Sequence, residues 1–143
     1  MITHAHGYGF GSDDYDYSTP KSVSVAGLTM NAYTLSHYSN NDLTWDAAYI
    51  VIPNTVSYTV SNKVNNTSTR IQYIAFDEQL SSYCGSNASA YGSVGGFKSS
   101  TITVGFSAGY YYLSMQTTFD NGDSGGPIYM TSNSQNRLIG IIK

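Results

Sequence analysis

The residues best suited to chemistry form the hexapeptide 122–127, which reads Gly-Asp-Ser-Gly-Gly-Pro. Its composition suits a loop that presents a serine hydroxyl beside backbone amides able to bind a developing oxyanion. Glycines fit such a loop because a backbone that approaches a substrate carbonyl closely, with unusual dihedral angles, has little room for side chains. A plain tight turn is the alternative, since Gly, Asp and Ser all favour turns. We predict that Ser124 is a nucleophile.

The full hexapeptide resembles the nucleophile motif of the trypsin-like serine proteases. A serine needs a histidine to accept its proton and a carboxylate to orient that histidine. Segment 2–6, Ile-Thr-His-Ala-His, is similar to the family's apolar strand that runs into Thr-x-Ala-His, and this resemblance selects His6. Asp46, followed by Ala-Ala-Tyr-Ile-Val, is similar to the family's aspartate. The order His, Asp, Ser is that of the chymotrypsin-type arrangement.

The resemblance implies a mechanism and a specificity. His6 takes the hydroxyl proton as Ser124 attacks a peptide carbonyl, and Asp46 stabilises the resulting imidazolium. The amides of Gly122 and Ser124 bind the oxyanion, and water releases the acyl-enzyme. Thr118, six residues before the nucleophile, matches a position that often lies at the base of the primary pocket. A neutral threonine there implies a preference for apolar or aromatic side chains over basic ones.

Two further segments carry the resemblance. In the family, the aspartate equivalent to Asp123 pairs with a freed N-terminus or, in small bacterial members, with an internal basic group, and Arg137 is the candidate partner here. Residues 85–94 resemble the glycine-rich hairpin that the streptogrisin and α-lytic members carry early in their second barrel. An ordinary hairpin is the alternative for that segment.

Other titratable residues compete with these assignments. His4 and His6 would share one face of a strand, as a metal-binding pair does, but no third ligand is evident. His37 lies in a polar loop, and Asp42 is a rival carboxylate without a following apolar run. The aspartates within residues 7–20 suit a solvated acidic loop better than a calcium site. We therefore predict no metal and no other cofactor.

The composition agrees with that of a secreted all-β enzyme. Charged residues make up 10% of the 143 residues, against about 25% in average soluble proteins, and the net charge is −3. No basic field would attract nucleic acid or anionic membrane, and no apolar run is as long as a transmembrane helix. Cys84 is the only cysteine, so no intrachain disulfide can form. We predict a secreted protein that acts on peptides or proteins, with no nucleic-acid or membrane partner and with its oligomeric state left open.

Short runs rich in β-branched and aromatic residues dominate the chain and predict an all-β fold. The runs are 23–35, 47–52, 56–60, 71–76, 101–106, 110–115, 128–130 and 138–142. The polar stretch 61–70 is the best candidate linker. The resemblance implies two packed antiparallel β-barrels, with an N-terminal half at 1–65 that carries the His and Asp and a C-terminal half at 66–143 that carries the Ser.

Both ends differ from the resembled pattern. His6 lies close to Met1, where the family has earlier strands, and Lys143 lies where the family begins a Ser-x-Gly segment that binds the substrate backbone. We therefore expect a fold truncated at both ends, either a fragment or a reduced relative. The favoured function is a serine endopeptidase. A noncatalytic trypsin-fold binding module or an inactive fragment is the alternative, and an esterase would share the acyl chemistry.

Overall fold

Strands make up most of the regular structure that the computed structural model describes. The described residues are 2–3, 19–25, 27–34, 48–55, 61–65, 67–75, 80–107 and 110–142. The prediction of an all-β fold is confirmed at the level of fold class. These ranges contain ten strands and one turn of 3-10 helix, Ser81–Tyr83. The strands are β1 Ile2–Thr3, β2 Lys21–Val25, β3 Leu28–Thr34, β4 Ala48–Val51, β5 Tyr73–Ile74, β6 Asn87–Gly92, β7 Gly96–Ser107, β8 Tyr110–Met115, β9 Pro127–Ser132 and β10 Gln135–Ile141.

The chain divides into two compact units, Met1–Thr59 with Lys143, and Val60–Ile142. Residues 61–70, the candidate linker, form a folded turn region within the second unit. Lys63 and Arg70 form an antiparallel bridge, the Val64 amide donates to the Thr69 carbonyl at 2.9 Å, and the Val64 side chain is buried. This stretch is therefore part of a folded unit. Its many polar residues are mostly exposed around one buried valine.

The first unit contains an antiparallel sheet in the order β1-β4-β3-β2. The single run predicted at 23–35 divides into β2 and β3, which pair across a turn at Gly27. Alternate residues of the strands face the core, as the two-residue period of a strand requires. The buried side chains are Val23, Met30, Ala32, Ala48 and Ile50.

Pairing in this sheet brings together the strands next to the predicted histidine and aspartate. β1 and β4 are antiparallel, with Thr3 opposite Ala48. The C-terminal end of β1, from which the chain continues to His6, therefore lies beside the N-terminal end of β4, which the chain reaches from Asp46. His6 and Asp46 themselves lie outside the described residues.

The second unit contains a sheet in the order β5-β10-β9-β6-β7-β8. Its pairs are antiparallel except for β5 with β10, which is parallel. β6 and β7 form the hairpin predicted around residues 85–94, and its turn is residues 93–95. The core is lined by Leu80, Ala88, Ala90, Ile102, Ile128, Met130, Ile139 and Ile142.

Candidate functional site

The nucleophile loop, residues 122–126, lies between β8 and β9 in the second unit. Two hydrogen bonds join it to the chain beyond β10. The Gly125 amide donates to the Ile142 carbonyl at 2.7 Å, and the Ile142 amide donates to the Gly126 carbonyl at 2.8 Å. These bonds continue the ladder between β9 and β10 past its last paired residues, Pro127 and Ile141. The backbone after Ser124 is therefore held by the sheet.

The backbone before Ser124 is held by the Asp123 carboxylate, which is only 1% exposed. Its Oδ1 accepts the amides of Val94 and Gly95, both at 2.8 Å, and its Oδ2 accepts the Asp120 amide at 2.9 Å. The hydrogen bonds from Gly95 and then Asp120 hold the pKa of the Asp123 carboxyl below its usual 3.8, against burial, which raises it. Asp123 is therefore a buried anion that backbone amides stabilise.

Asp123 does not use the partner that the resemblance suggested. Arg137, the candidate basic group, lies in β10, where its Nη1 donates to the Tyr83 hydroxyl at 3.5 Å and its guanidinium lies 6.0 Å from the centre of the Tyr73 ring. The interpretation of Arg137 as the partner of Asp123 is therefore wrong. Three amide donors and, as a smaller contribution, the charge of Lys98 stabilise the Asp123 carboxylate instead.

Within the nucleophile loop, two amides differ from their neighbours. The Asp123 amide donates to the Asp120 carbonyl and the Gly126 amide to the Asp123 carbonyl, both at 3.0 Å, and the Gly125 amide donates to Ile142. The amides of Gly122 and Ser124 donate to no acceptor in the part of the chain that the structure describes. These are the two amides that the resemblance assigns to the oxyanion. Gly122 is exposed and Ser124 is half-buried, so both amides are accessible to a ligand oxygen.

Gly122 has a conformation that suits only glycine. Its φ of +100° lies in the region that L side chains rarely adopt, and a β-carbon there would also come within 3.0 Å of Val94 Cγ2. This dihedral angle sets the direction of the peptide group that precedes Asp123. The glycine at the start of the hexapeptide is therefore required by the backbone geometry.

Ser124 is half-buried, and its hydroxyl makes no hydrogen bond to any of the described residues. Gly122, Asp123 and Ser124 lie in one loop, which is hydrogen-bonded to other parts of the second unit on both sides of Ser124. It does not test whether His6 and Asp46 reach Ser124, so the triad stays a prediction. His4, His37, Asp42 and the aspartates of residues 7–20 also lie outside the described residues.

Thr118, the predicted base of the pocket, is exposed, and its carbonyl accepts a hydrogen bond from Lys98 Nζ at 2.5 Å. The same ammonium lies 3.6 Å from Asp120 Oδ2 and 5.6 Å from the centre of the Phe119 ring. Lys98 therefore holds segment 118–120, which leads into the nucleophile loop. The pocket role of Thr118 stays a prediction.

Sequence reasoning missed Lys98 and the turn 93–95, which surround this loop. Their one signal was the glycine-rich segment 85–94, which we interpreted only as a hairpin. The two hydrogen bonds from the turn to Asp123 come from backbone amides, which every residue type carries, so nothing in that segment indicates them.

Comparison of the chain with family models, with curated proteins and with solved structures finds no match. Within the described ranges, no helix combines the length and apolarity that crossing a bilayer would need.

Proposed function

We propose that this chain is a serine endopeptidase, with Ser124 as the nucleophile, His6 as the general base and Asp46 as the carboxylate that orients it. One observation carries the proposal. The nucleophile loop is hydrogen-bonded on both sides of Ser124, yet the amides of Gly122 and Ser124 have no acceptor among the described residues. Such an arrangement suits a pair of donors waiting for an oxyanion.

In the proposed reaction, Ser124 Oγ attacks a peptide carbonyl while His6 accepts the hydroxyl proton, and the carbonyl oxygen gains negative charge between the two free amides. The tetrahedral intermediate collapses, and His6 returns the proton to the leaving amine. Water then attacks the acyl-enzyme with the same base. Removing one oxyanion donor typically costs about 3 to 4 kcal/mol of transition-state stabilisation, so the loop conformation contributes as much as a side chain does.

The proposed substrate has an apolar or aromatic residue before the scissile bond. Thr118 brings no charge to the predicted pocket, and the nearby Lys98 ammonium is already engaged by the Thr118 carbonyl and by Asp120. Asp120, two residues after Thr118, is 61% exposed and its carboxylate lies 3.6 Å from the Lys98 ammonium, so these two charges offset each other beside Thr118. The proposal includes an extracellular place of action on peptides or proteins, as the composition suggests.

The proposal is tested with a fluorophosphonate, which reacts covalently with activated serines. The folded chain is incubated with the reagent and its intact mass is measured, beside Ser124→Ala and His6→Ala as controls. We expect one adduct on the wild-type chain and none on either variant. Soluble, folded wild-type protein that forms no adduct would contradict the proposal and favour a binding module. Matched peptide and ester substrates then separate an endopeptidase from an esterase.

A further inference from the structure

Three contacts join the hairpin turn 93–95 to the nucleophile loop. The amides of Val94 and Gly95 donate to Asp123 Oδ1, and the Ser93 hydroxyl donates to the Gly122 carbonyl at 2.7 Å. The Gly122 carbonyl belongs to the peptide group between the two amides assigned to the oxyanion. One short turn therefore fixes both the side chain of Asp123 and the backbone immediately before it.

The fit between this turn and Asp123 leaves no room for side-chain atoms. A β-carbon on Gly95 would lie 2.6 Å from Asp123 Oδ2 and 2.8 Å from Asp120 Oδ2. A β-carbon on Gly92, at the end of β6, would overlap the Asp123 carboxyl group. Glycine at positions 92 and 95 lets the backbone approach the buried carboxylate closely enough for two hydrogen bonds.

We propose that the turn 93–95 is the positioning element of the nucleophile loop, and that it holds the Gly122 and Ser124 amides in place by donating to Asp123 and to the Gly122 carbonyl. A carboxylate that accepts three amides is stabilised as an anion, and the charge of Lys98, on the same hairpin, adds to this stabilisation. The loop is therefore built by a hairpin of its own unit, and its conformation needs no charged group from elsewhere. The catalytic consequence rests on the proposed function, but the structural claim does not.

The experiment compares two serines of the full chain that make the same kind of bond. Ser93 donates to Gly122 in the nucleophile loop, whereas Ser99 donates to the Ala88 carbonyl at 3.1 Å within the hairpin. Ser93→Ala and Ser99→Ala each remove one hydroxyl-to-carbonyl hydrogen bond. Two readouts are taken on each variant: the rate of fluorophosphonate labelling, and hydrogen–deuterium exchange of residues 120–126.

We expect Ser93→Ala to label about three- to tenfold more slowly than wild type, the effect of one hydrogen bond, and to exchange faster at residues 120–126. Ser93→Thr, which keeps the hydroxyl, should restore both readouts, and Ser99→Ala should match wild type in both. Gly95→Ala should lower the labelling rate by more than tenfold, because it displaces the Asp123 carboxylate. Circular dichroism establishes that each variant is folded.

The outcomes separate this proposal from the proposed function. If wild type labels and Ser93→Ala matches Ser99→Ala in both readouts, the turn does not position the loop and the proposal is overturned, while the endopeptidase assignment stands. If wild type does not label, the assignment fails and exchange alone decides the structural claim. Faster exchange in Ser93→Ala alone then supports the turn as the positioning element, and equal exchange in both variants overturns it.

Discussion

At the scale of single residues, the candidate site depends on side chains and dihedral angles that set the direction of backbone amides. Asp123 is buried yet ionised, because the amides of Val94, Gly95 and Asp120 surround its carboxylate. Gly122 has a positive φ that turns the peptide group before Asp123. Neither residue is assigned a bond-breaking step. Both set the positions of the Gly122 and Ser124 amides, which the proposed reaction would use to bind the oxyanion.

Replacement of Gly122 by alanine tests the dihedral angle. We expect Gly122→Ala to lose most fluorophosphonate labelling, because its β-carbon is strained at φ +100° and crowds Val94. Gly27→Ala is the matched control, since Gly27 has φ +80° in the first unit and open space around it. Both variants should lose about 1 to 2 kcal/mol of unfolding free energy. Equal labelling by the two would contradict the role of Gly122.

The Asp123 carboxyl predicts how stability depends on pH. Its pKa is lower in the folded chain than the usual 3.8, so its contribution to stability is present above that value and is lost as pH falls through the lowered folded-state pKa. Asp123→Asn should lack this loss on acidification. The measurement is the urea midpoint of both proteins from pH 2 to pH 7.

The control for this pH prediction is Asp120→Asn, which removes an exposed carboxylate but keeps the backbone amide that donates to Asp123. It should retain the acid-dependent loss of stability seen in wild type. If the urea midpoint of Asp123→Asn falls as steeply on acidification as that of wild type, a group other than Asp123 causes the loss of stability at acid pH.

At the scale of elements, strands β6, β7, β9 and β10 carry the segments that form hydrogen bonds with the nucleophile loop on both sides of Ser124. The β9–β10 pair ends in the hydrogen bonds of Gly125 and Gly126 with Ile142, and the β6–β7 hairpin ends in the turn that binds Asp123. The nucleophile loop therefore depends on two hairpins that lie side by side through the pairing of β6 with β9. Errors of register in either hairpin would separate these groups.

Packing beneath β7 gives a prediction at this scale. Ile102 is fully buried in the core of the second unit, and its neighbour Thr103 is exposed, as the alternation of a strand requires. Ile102→Ala should lower the unfolding free energy by about 2 to 5 kcal/mol, through lost burial and the cavity it leaves. Thr103→Ala should change it by less than about 0.5 kcal/mol. Urea unfolding of the two variants measures the difference, and similar losses would contradict the burial of this face.

At the scale of the whole molecule, the residues of the proposed triad are divided between the two units. Every hydrogen bond described for the nucleophile loop comes from Val60–Ile142, whereas His6 and Asp46 belong to Met1–Thr59. The loop geometry and the proposed proton acceptor therefore come from different parts of the chain. The proposed activity would use residues of both units, whereas the hydrogen bonds described for the nucleophile loop lie within the second unit.

Expression of Val60–Ile142 alone tests this division. The unit has its own sheet and core, so we expect it to fold and to protect residues 120–126 from hydrogen exchange as the full chain does. It should form no fluorophosphonate adduct, because His6 is missing and the serine hydroxyl stays protonated. An adduct on Ser124 of the isolated unit would show that His6 is not the base.

Several features were predictable from the sequence because they depend on local preferences. Strand β8 coincides with the run at 110–115, β10 overlaps the run at 138–142, and the hexapeptide lies at the end of the loop between β8 and β9. Other boundaries were missed for reasons of pairing. β7 begins at Gly96, ahead of the apolar run at 101–106, because residues 96–101 pair with β6, starting with Gly96 opposite Gly92.

The sequence alone predicted the all-β class, a loop around Ser124 and glycine at its turns, since periodicity and allowed dihedral angles are properties of short segments. Only the tertiary structure decided the partners of Asp123. Two of its three partners are backbone amides of residues 28 and 29 positions earlier, which no side-chain type can reveal. The expectation for Arg137 was wrong for the same reason. A buried carboxylate needs hydrogen-bond donors, and in this fold the amides of a backbone turn provide two of them. The sequence prediction considered only cationic side chains as partners.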